Sequence, residues 1–419
     1  MDSIVMTLIN TTKKCLGSCA LALTMGGMSL PAHALVQDIT AVFRPNPSNP
    51  MVNKFENTTP HSGVCAWHVP ARCEALNTFS IRDPAFRANS VEPIEANHTD
   101  PRKGAYFQVP SSWRDVQVTH VATGEVETVQ MRIAGIGTRW DVPRPPGVAG
   151  WANGGTGWAH YWGSGAAPCQ GVNYLAASVS YALFFWIVPE NAGACTVNPG
   201  ATFSRLSYSH LEYGYELKTP NPLGMASGEY RGTTNYSIGP GGDFDFGDVM
   251  ASTESSLTFN FQLAVEHDLK VDLPPGGNRI ELLPEGGWQA WLNRGRQPSR
   301  LFRDQTFAIS ASGRFKMQLE CGLAVGNTCG LRNGAGDQVP LQVAVTLPFG
   351  LNNEAGQSVN KVPLRLDGVG TELFQPVFYV NNRPGKLHFD VEKDDVKGML
   401  EHSGSTYAGV VTVIWDSEV

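Results

Sequence analysis

Five aromatic side chains crowd one glycine-rich stretch of this chain. They are Trp140, Trp151, Trp158, Tyr161 and Trp162, the last four between Gly150 and Gly165. Arg139, Asp141, Asn153 and His160 are their neighbours in sequence. Exposed indole and phenol faces stack on sugar rings, while amide, carboxylate and guanidinium groups bond the hydroxyls. The chemistry offered is therefore recognition, and Arg139, Trp140, Trp151, Asn153, Trp158, His160, Tyr161 and Trp162 are the candidate ligand contacts. The same tryptophans can instead anchor a core beneath a long loop, which is the commoner role for any single one.

Catalysis has less to stand on. Hydrolysis of a glycoside needs two carboxylates flanking a cleft. Asp141, Glu212, Glu216 and Asp243 are available in this half of the chain, but nothing in the sequence pairs them. There is no Gly-x-Ser-x-Gly elbow, no His-Glu-x-x-His and no P-loop, so no catalytic residue is assigned. Zinc is the one cofactor with candidates. His160 and His210, or His61 and His68, can converge only through the fold, since no His-x-His or His-x-x-x-His pair occurs.

The start of the chain indicates its compartment. Lys13 and Lys14 precede an apolar stretch from Cys15 to Leu30, and Ala32-His33-Ala34 has the small-x-small form of a cleavage site. Residues 1–34 are expected to be a secretory signal peptide, with Leu35 the first mature residue. Cys15 and Cys19 leave with it. Cys65, Cys73, Cys169, Cys195, Cys321 and Cys329 remain, an even number in a secreted chain, which implies disulfides. Their spacing favours the local pairs 65–73, 169–195 and 321–329, among the fifteen pairings that six cysteines allow.

Composition sets the fold class. Charged residues are 16% of the chain, with 45 glycines and 28 prolines, the profile of a β-rich protein with many turns. Losing Asp2, Lys13 and Lys14 moves the formal charge from −7 to −8, which offers no footprint for nucleic acid. Residues 172–188 are apolar over a span's length but end in Tyr-Ala-Leu-Phe-Phe-Trp-Ile-Val. They read as buried sheet with a turn inside, not as a membrane span.

Two β domains are expected. Gly239-Pro240-Gly241-Gly242 is a strong turn, and Asp243–Asp248 is expected to be the last strand of a first domain, residues 35–248. The linker is placed at 249–255 and a second domain at 256–419. Its expected strands are 257–265, 269–273, 280–283, 306–311, 315–320, 342–347, 373–380, 385–391 and 407–415, spaced as in an immunoglobulin-like sandwich, with a short helix or loop over 394–402. An internal echo links the two halves. Ser227-Gly-Glu-Tyr-Arg-Gly-Thr-Thr-Asn-Tyr-Ser-Ile238 resembles Ser403-Gly-Ser-Thr-Tyr-Ala-Gly-Val-Val-Thr-Val-Ile414, each with Ser-Gly, then Tyr-x-Gly, then a strand.

This layout resembles that of two-domain chaperone–usher fimbrial tip adhesins. The likeness spans the mature chain and is sharpest at Ser403–Val419, which resembles the final strand of a pilin domain; Gly135-Ile-Gly-Thr-Arg-Trp140 and the Cys169–Cys195 region resemble a receptor-binding domain. The resemblance implies an all-β chain of two sandwiches, the second an incomplete immunoglobulin-like fold lacking its seventh strand. It implies as partners a periplasmic chaperone, an outer-membrane usher, an adjacent subunit that donates the strand, and a host glycan, host protein or abiotic surface. It also implies a place at the fimbrial tip of a Gram-negative bacterium, reached through the periplasm, and no enzyme activity. Tyr407, Val411, Val413 and Trp415 are expected to line the donor-strand groove, since alternation puts the last three on one face. The 35–43 segment alternates only in part and precedes the first domain, so the chain is expected to accept a strand and donate none. The alternative is a secreted β-sandwich protein, unrelated to pili, that binds or acts on polysaccharide.

Overall fold

The computed structural model describes residues 33–143, 162–178, 180–295, 297–402 and 404–417. The expected signal peptide, apart from His33 and Ala34, lies outside them. The described chain is all-β, built around two large clusters of buried apolar side chains and one small satellite.

The first body is organised by the Val126–Asp141 strand, buried without break from Met131 to Thr138. Continuous burial needs neighbours on both edges and cover on both faces. Arg114–His120, Leu211–Lys218, Tyr181–Ile187 and Ser207–Tyr208 all pair with parts of it. Arg132, buried in this strand, is paired by both oxygens of Glu216 at 2.7 and 2.8 Å and donates to the Val188 carbonyl at 3.1 Å, as a buried guanidinium requires. Gly135 and Gly137 have a steric reason: a Cβ on either would collide with the Phe185 ring. The expected buried sheet at 172–188 is a hairpin of Gln170–Ser178 and Tyr181–Ile187. No helix among the described residues is long and apolar enough to cross a membrane.

The first domain, expected to end at residue 248, extends to Val265. Met250–Ser252 pairs with Ala88–Ser90 of the first body, so 249–255 is not a linker. Glu254–Val265 then runs antiparallel to Gly228–Ser237 and parallel to His33–Phe43. Its residues Leu257, Phe259, Phe261, Leu263 and Val265 are buried in the first core. Alternation in this segment correctly marks a strand, but periodicity does not say which core an apolar face joins. Residues 243–248, expected as the closing strand, make only isolated bridges.

The chain crosses between the bodies over 266–268. His267 Nε2 lies 2.9 Å from the Met225 carbonyl of the first body, and its Nδ1 lies 3.2 Å from Ser312 Oγ of the second. Arg314 pairs with Glu125 across the junction at 3.3 Å.

The second body has Leu301–Ala311 paired with Leu269–Asp272 and Val380–Val391, and Val380–Val391 paired with Gln338–Thr346. Thr328–Arg332, which was not expected as a strand, adds to Gln338–Thr346. Opposite lies a two-stranded sheet of Lys316–Cys321 and Val411–Asp416. Residues 280–283 form no strand and touch the sheet at one bridge, Leu283 to Phe302. Lys393–Glu401 is a helix. The disulfides are Cys65–Cys73, Cys169–Cys195 and Cys321–Cys329.

A fragment covering residues 33–266 is expected to melt cooperatively, whereas 33–248 lacks the strand holding five core side chains and is expected to show no cooperative transition. A cooperative melt of the shorter fragment in calorimetry would refute this assignment of the boundary.

Candidate functional site

Alternation along Val126–Asp141 decides the fate of the first candidates. Arg139 and Asp141 point outward and Trp140 inward. Trp140 is fully buried, and so is Trp162, whose ring stacks on Trp186 at 5.3 Å and lies 5.4 Å from Trp140. These two are core anchors and not ligand platforms, because an indole in close contact with other rings has no face left for a sugar. Trp151, Asn153, Trp158, His160 and Tyr161 lie outside the described residues. Arg139 is exposed, pairs with Asp141 at 2.7 Å and lies over Tyr181, 4.2 Å from the ring centroid.

A different cluster of aromatic and charged side chains forms on the outer face of the same sheet. Arg82 on Phe79–Asp83 sits opposite Glu212 on Leu211–Lys218. Its Nε donates to Glu212 Oε2 at 2.8 Å, with Nη2 2.7 Å from the same oxygen. The Val64 amide donates to the other oxygen at 2.5 Å. Burial pushes the Glu212 carboxyl up, against the opposing pull of Arg82 and the Val64 amide. Two short helices, Val64–Trp67 and Pro70–Ala75, are tied by Cys65–Cys73 and pack on Val172 and Phe185. Gly63 precedes them at φ 84°, where a Cβ would strike the Glu212 carboxylate. Glu212 is thus the anchor that seats this helical cap on the sheet.

The cap presents Trp67, 57% exposed, with the Arg82 guanidinium 4.8 Å from its ring centroid. Beside it His68 stacks on Tyr174 at 4.2 Å, and the Tyr174 hydroxyl lies 3.1 Å from His68 Nε2. His210 is buried, its Nε2 3.9 Å from Glu212 Oε2 and without a hydrogen-bond partner among the described residues. Burial first, then the positive charges of Arg82, Arg87 and Arg139, push its pKa down to about 3, so the imidazole is neutral. Arg87 is exposed and donates to the carbonyls of Pro84 and Phe86, with no carboxylate partner among the described residues. Sequence reasoning missed Trp67, Arg82 and Arg87, because they are scattered singly and gathered by strand register and a disulfide.

The four acids considered for catalysis are each committed to an arginine: Asp141 to Arg139, Glu212 to Arg82, Glu216 to Arg132 and Asp243 to Arg114. Among the described residues no three His, Cys, Asp or Glu side chains are grouped as a metal site. His210 is held by the surroundings above, and its expected companion His160 lies outside the described residues.

A second feature lies in the other body. The Val411–Asp416 strand pairs with Lys316–Cys321 along one edge, and its other edge meets no strand among the described residues. Val411, Val413 and Trp415 turn toward the second core, each half-buried, as does Tyr407. Trp415 packs edge-on against Phe307 at 5.6 Å, and its Nε1 is buried with no hydrogen-bond partner among the described residues. Its counterpart in the internal echo, Gly228–Ser237, is paired on both edges, by Glu254–Val265 and by Arg114–His120. Both Tyr-x-Gly glycines serve close approach: a Cβ on Gly232 would strike the Gln117 carbonyl, and one on Gly409 the Gly330 carbonyl.

No protein-family model matches the sequence, and no curated protein matches it. Among solved structures, the chain is similar to three with adhesin subunits of fimbriae or pili. One is a chaperone–tip adhesin complex of CFA/I fimbriae biogenesis, at 11% identity and TM-score 0.25, covering 92% of this chain and 96% of that one. Another is CfaE, the adhesive subunit of CFA/I fimbria of enterotoxigenic Escherichia coli, at 10% identity and TM-score 0.23, covering 91% and 92%. A third is the CsuC–CsuE chaperone–tip adhesion subunit pre-assembly complex from the Csu pili of Acinetobacter baumannii, at 10% identity and TM-score 0.21, covering 92% and 99%. TM-scores this low leave any functional reading to rest on the chain's own residues.

Replacing Glu212 with Ala leaves the partly buried Arg82 without its counter-charge and is expected to cost about 3 kcal/mol of stability by denaturant melts. His210 sets a pH dependence. An unfolded imidazole takes a proton near its ordinary value of 6.5, the folded one only near about 3. Its contribution to stability is therefore complete above pH 6.5 and is lost as pH falls toward 3. His210→Gln is expected to flatten the fall in melting temperature between pH 6.5 and 4; an unchanged slope would refute this.

Proposed function

We propose that this chain is a fimbrial tip adhesin. Its first body binds a host or surface ligand, and its second joins the fibre by accepting a strand from a neighbouring subunit. The observation that carries this reading is the unequal pairing of two related strands. Gly228–Ser237 has a partner on each edge, while Val411–Asp416 has a strand on a single edge among the described residues. An open strand edge beside half-buried apolar side chains is costly until another strand covers it. Strand addition satisfies the backbone and sets alternate side chains into pockets. A periplasmic chaperone would cover this edge first, and an adjacent subunit would replace it after passage through an outer-membrane usher to the cell surface.

The first body supplies a template for the incoming strand. Glu254–Val265 sets Leu263, Phe261, Phe259 and Leu257 opposite Tyr230, Gly232, Thr234 and Tyr236. Aligned on Tyr-x-Gly, a strand antiparallel to Val411–Asp416 places large apolar residues opposite Tyr407, Gly409, Val411 and Val413. The same alternation placed one residue out of step presents polar groups to the core.

The test is thermal unfolding of the full chain with synthetic peptides. A peptide of alternating large apolar residues in the stated register is expected to raise the melting temperature of the second transition. The rise should be about 5–10 °C at a concentration about 100-fold above Kd. The same peptide shifted by one residue, or with Asp opposite Gly409, is expected to give none. Indifference to every register would mean a complete second sandwich and would end the pilus reading.

A further inference from the structure

One imidazole in the crossing segment is bonded to both bodies, and its behaviour does not depend on the fimbrial reading. The Met225 carbonyl of the first body lies 2.9 Å from His267 Nε2. A carbonyl can only accept, so Nε2 carries the hydrogen. In a neutral ring Nδ1 is then the acceptor, and the Ser312 hydroxyl of the second body, 3.2 Å away, donates to it. Ser312 Oγ in turn accepts from the Asp268 amide at 2.8 Å, and Ser312 is fully buried. With the ring neutral, each donor in this chain of bonds has an acceptor.

A second proton on the ring breaks the pattern. An Nδ1–H would point at the Ser312 hydroxyl, whose oxygen would take two hydrogens while its own hydrogen lost its acceptor in a buried site. The ring has little room to turn. It packs edge-on against Phe43 at 5.6 Å, and a Cβ on Gly313 would meet it at 2.6 Å. The charges around the junction are already engaged. Arg314 pairs with Glu125 at 3.3 Å, Arg44 pairs with Glu266 at 2.8 Å, and Asp268 accepts from the Tyr379 hydroxyl at 2.8 Å. Glu127 lies in the field of Glu125 and Arg314. His120 is bonded within the first body, to the Ser227 carbonyl at 3.0 Å and the Thr123 hydroxyl at 2.8 Å.

We infer that His267 is a pH-operated latch: neutral, it ties the two bodies together, and protonated, it lets them part. Burial lowers its pKa most, the Met225 and Pro222 carbonyls pull the other way, and the Arg314 charge lowers it further. A freed imidazole takes its proton near the ordinary value of 6.5, the docked one only at lower pH. Docking is therefore strongest above pH 6.5 and weakens as pH falls toward the docked value. Glu125 acts later. Burial raises its pKa, but Tyr230, the Ala226 amide and Arg314 hold it below its ordinary 4.5, so its pair with Arg314 persists while the latch opens.

Amide hydrogen exchange on the full chain at about pH 7.5 and 5.5, corrected for the intrinsic effect of pH on exchange, reads the opening. A free imidazole is about tenfold more charged than neutral at the lower pH. Exchange at Met225 and Ala226 on one side, and at Asp268 and Ser312 on the other, is expected to quicken by up to about tenfold. His267→Gln keeps a donor for the Met225 carbonyl but takes no charge, and is expected to exchange alike at both pH values. Glu127→Gln is expected to respond as the parent does. Proton NMR of the parent is the second measurement, with the His267 ring expected to titrate below 6.5. The inference is overturned by a parent without quickening, by a His267→Gln chain that quickens equally, by junction amides as protected as those of Val126–Asp141, or by a ring titrating at or above 6.5.

Discussion

A strand needs a partner for each edge that is not left to water, and that requirement organises both halves of this molecule. In the first body it is met within the chain. Glu254–Val265 lies between Gly228–Ser237 and His33–Phe43, covering one edge of each while delivering five apolar side chains to the core. Removing it would open two edges and hollow the core together. In the second body the equivalent edge, along Val411–Asp416, has no partner among the described residues, although Val411, Val413 and Trp415 already face the core. The two bodies thus answer the same requirement differently among the described residues.

Buried charge is the second constraint. Glu212 lies under the helical cap where an isolated carboxylate would be prohibitive, and Arg82 with the Val64 amide makes it tolerable. That arrangement orients Arg82, Arg82 supports Trp67, and Cys65–Cys73 holds the short helices that carry the indole. His210, too deep to charge, completes the group with a nitrogen that lacks a hydrogen-bond partner among the described residues. Each part is unremarkable alone. Together they seat the helical cap on the sheet and hold Trp67 over Arg82.

Much of the scaffold was legible from residue order. Alternating apolar residues marked Leu257–Val265, and a β-branched and aromatic run marked a strand over 407–415, which the structure forms from Val411 to Asp416. Cysteine spacing suggested the three local loops that the disulfides close. The site was less legible. Trp140 and Trp162 drew attention because tryptophans were dense there, yet both are core. Trp67 stood alone in sequence and drew none, although it is 57% exposed. Density along a chain measures proximity in one dimension, while exposure depends on which face a strand turns outward and what packs over it.

The sequence by itself determined the β character, the strand faces, the local cysteine loops and the echo between Tyr230-x-Gly232 and Tyr407-x-Gly409, because these depend on period, spacing and residue type over short ranges. Only the tertiary structure decided that residues 254–265 belong to the first core, that Arg82 meets Glu212 across 130 positions, and that, among the described residues, one copy of the echoed strand is paired on both edges and the other on one. Those facts depend on register and on contacts between distant segments, which local periodicity does not encode.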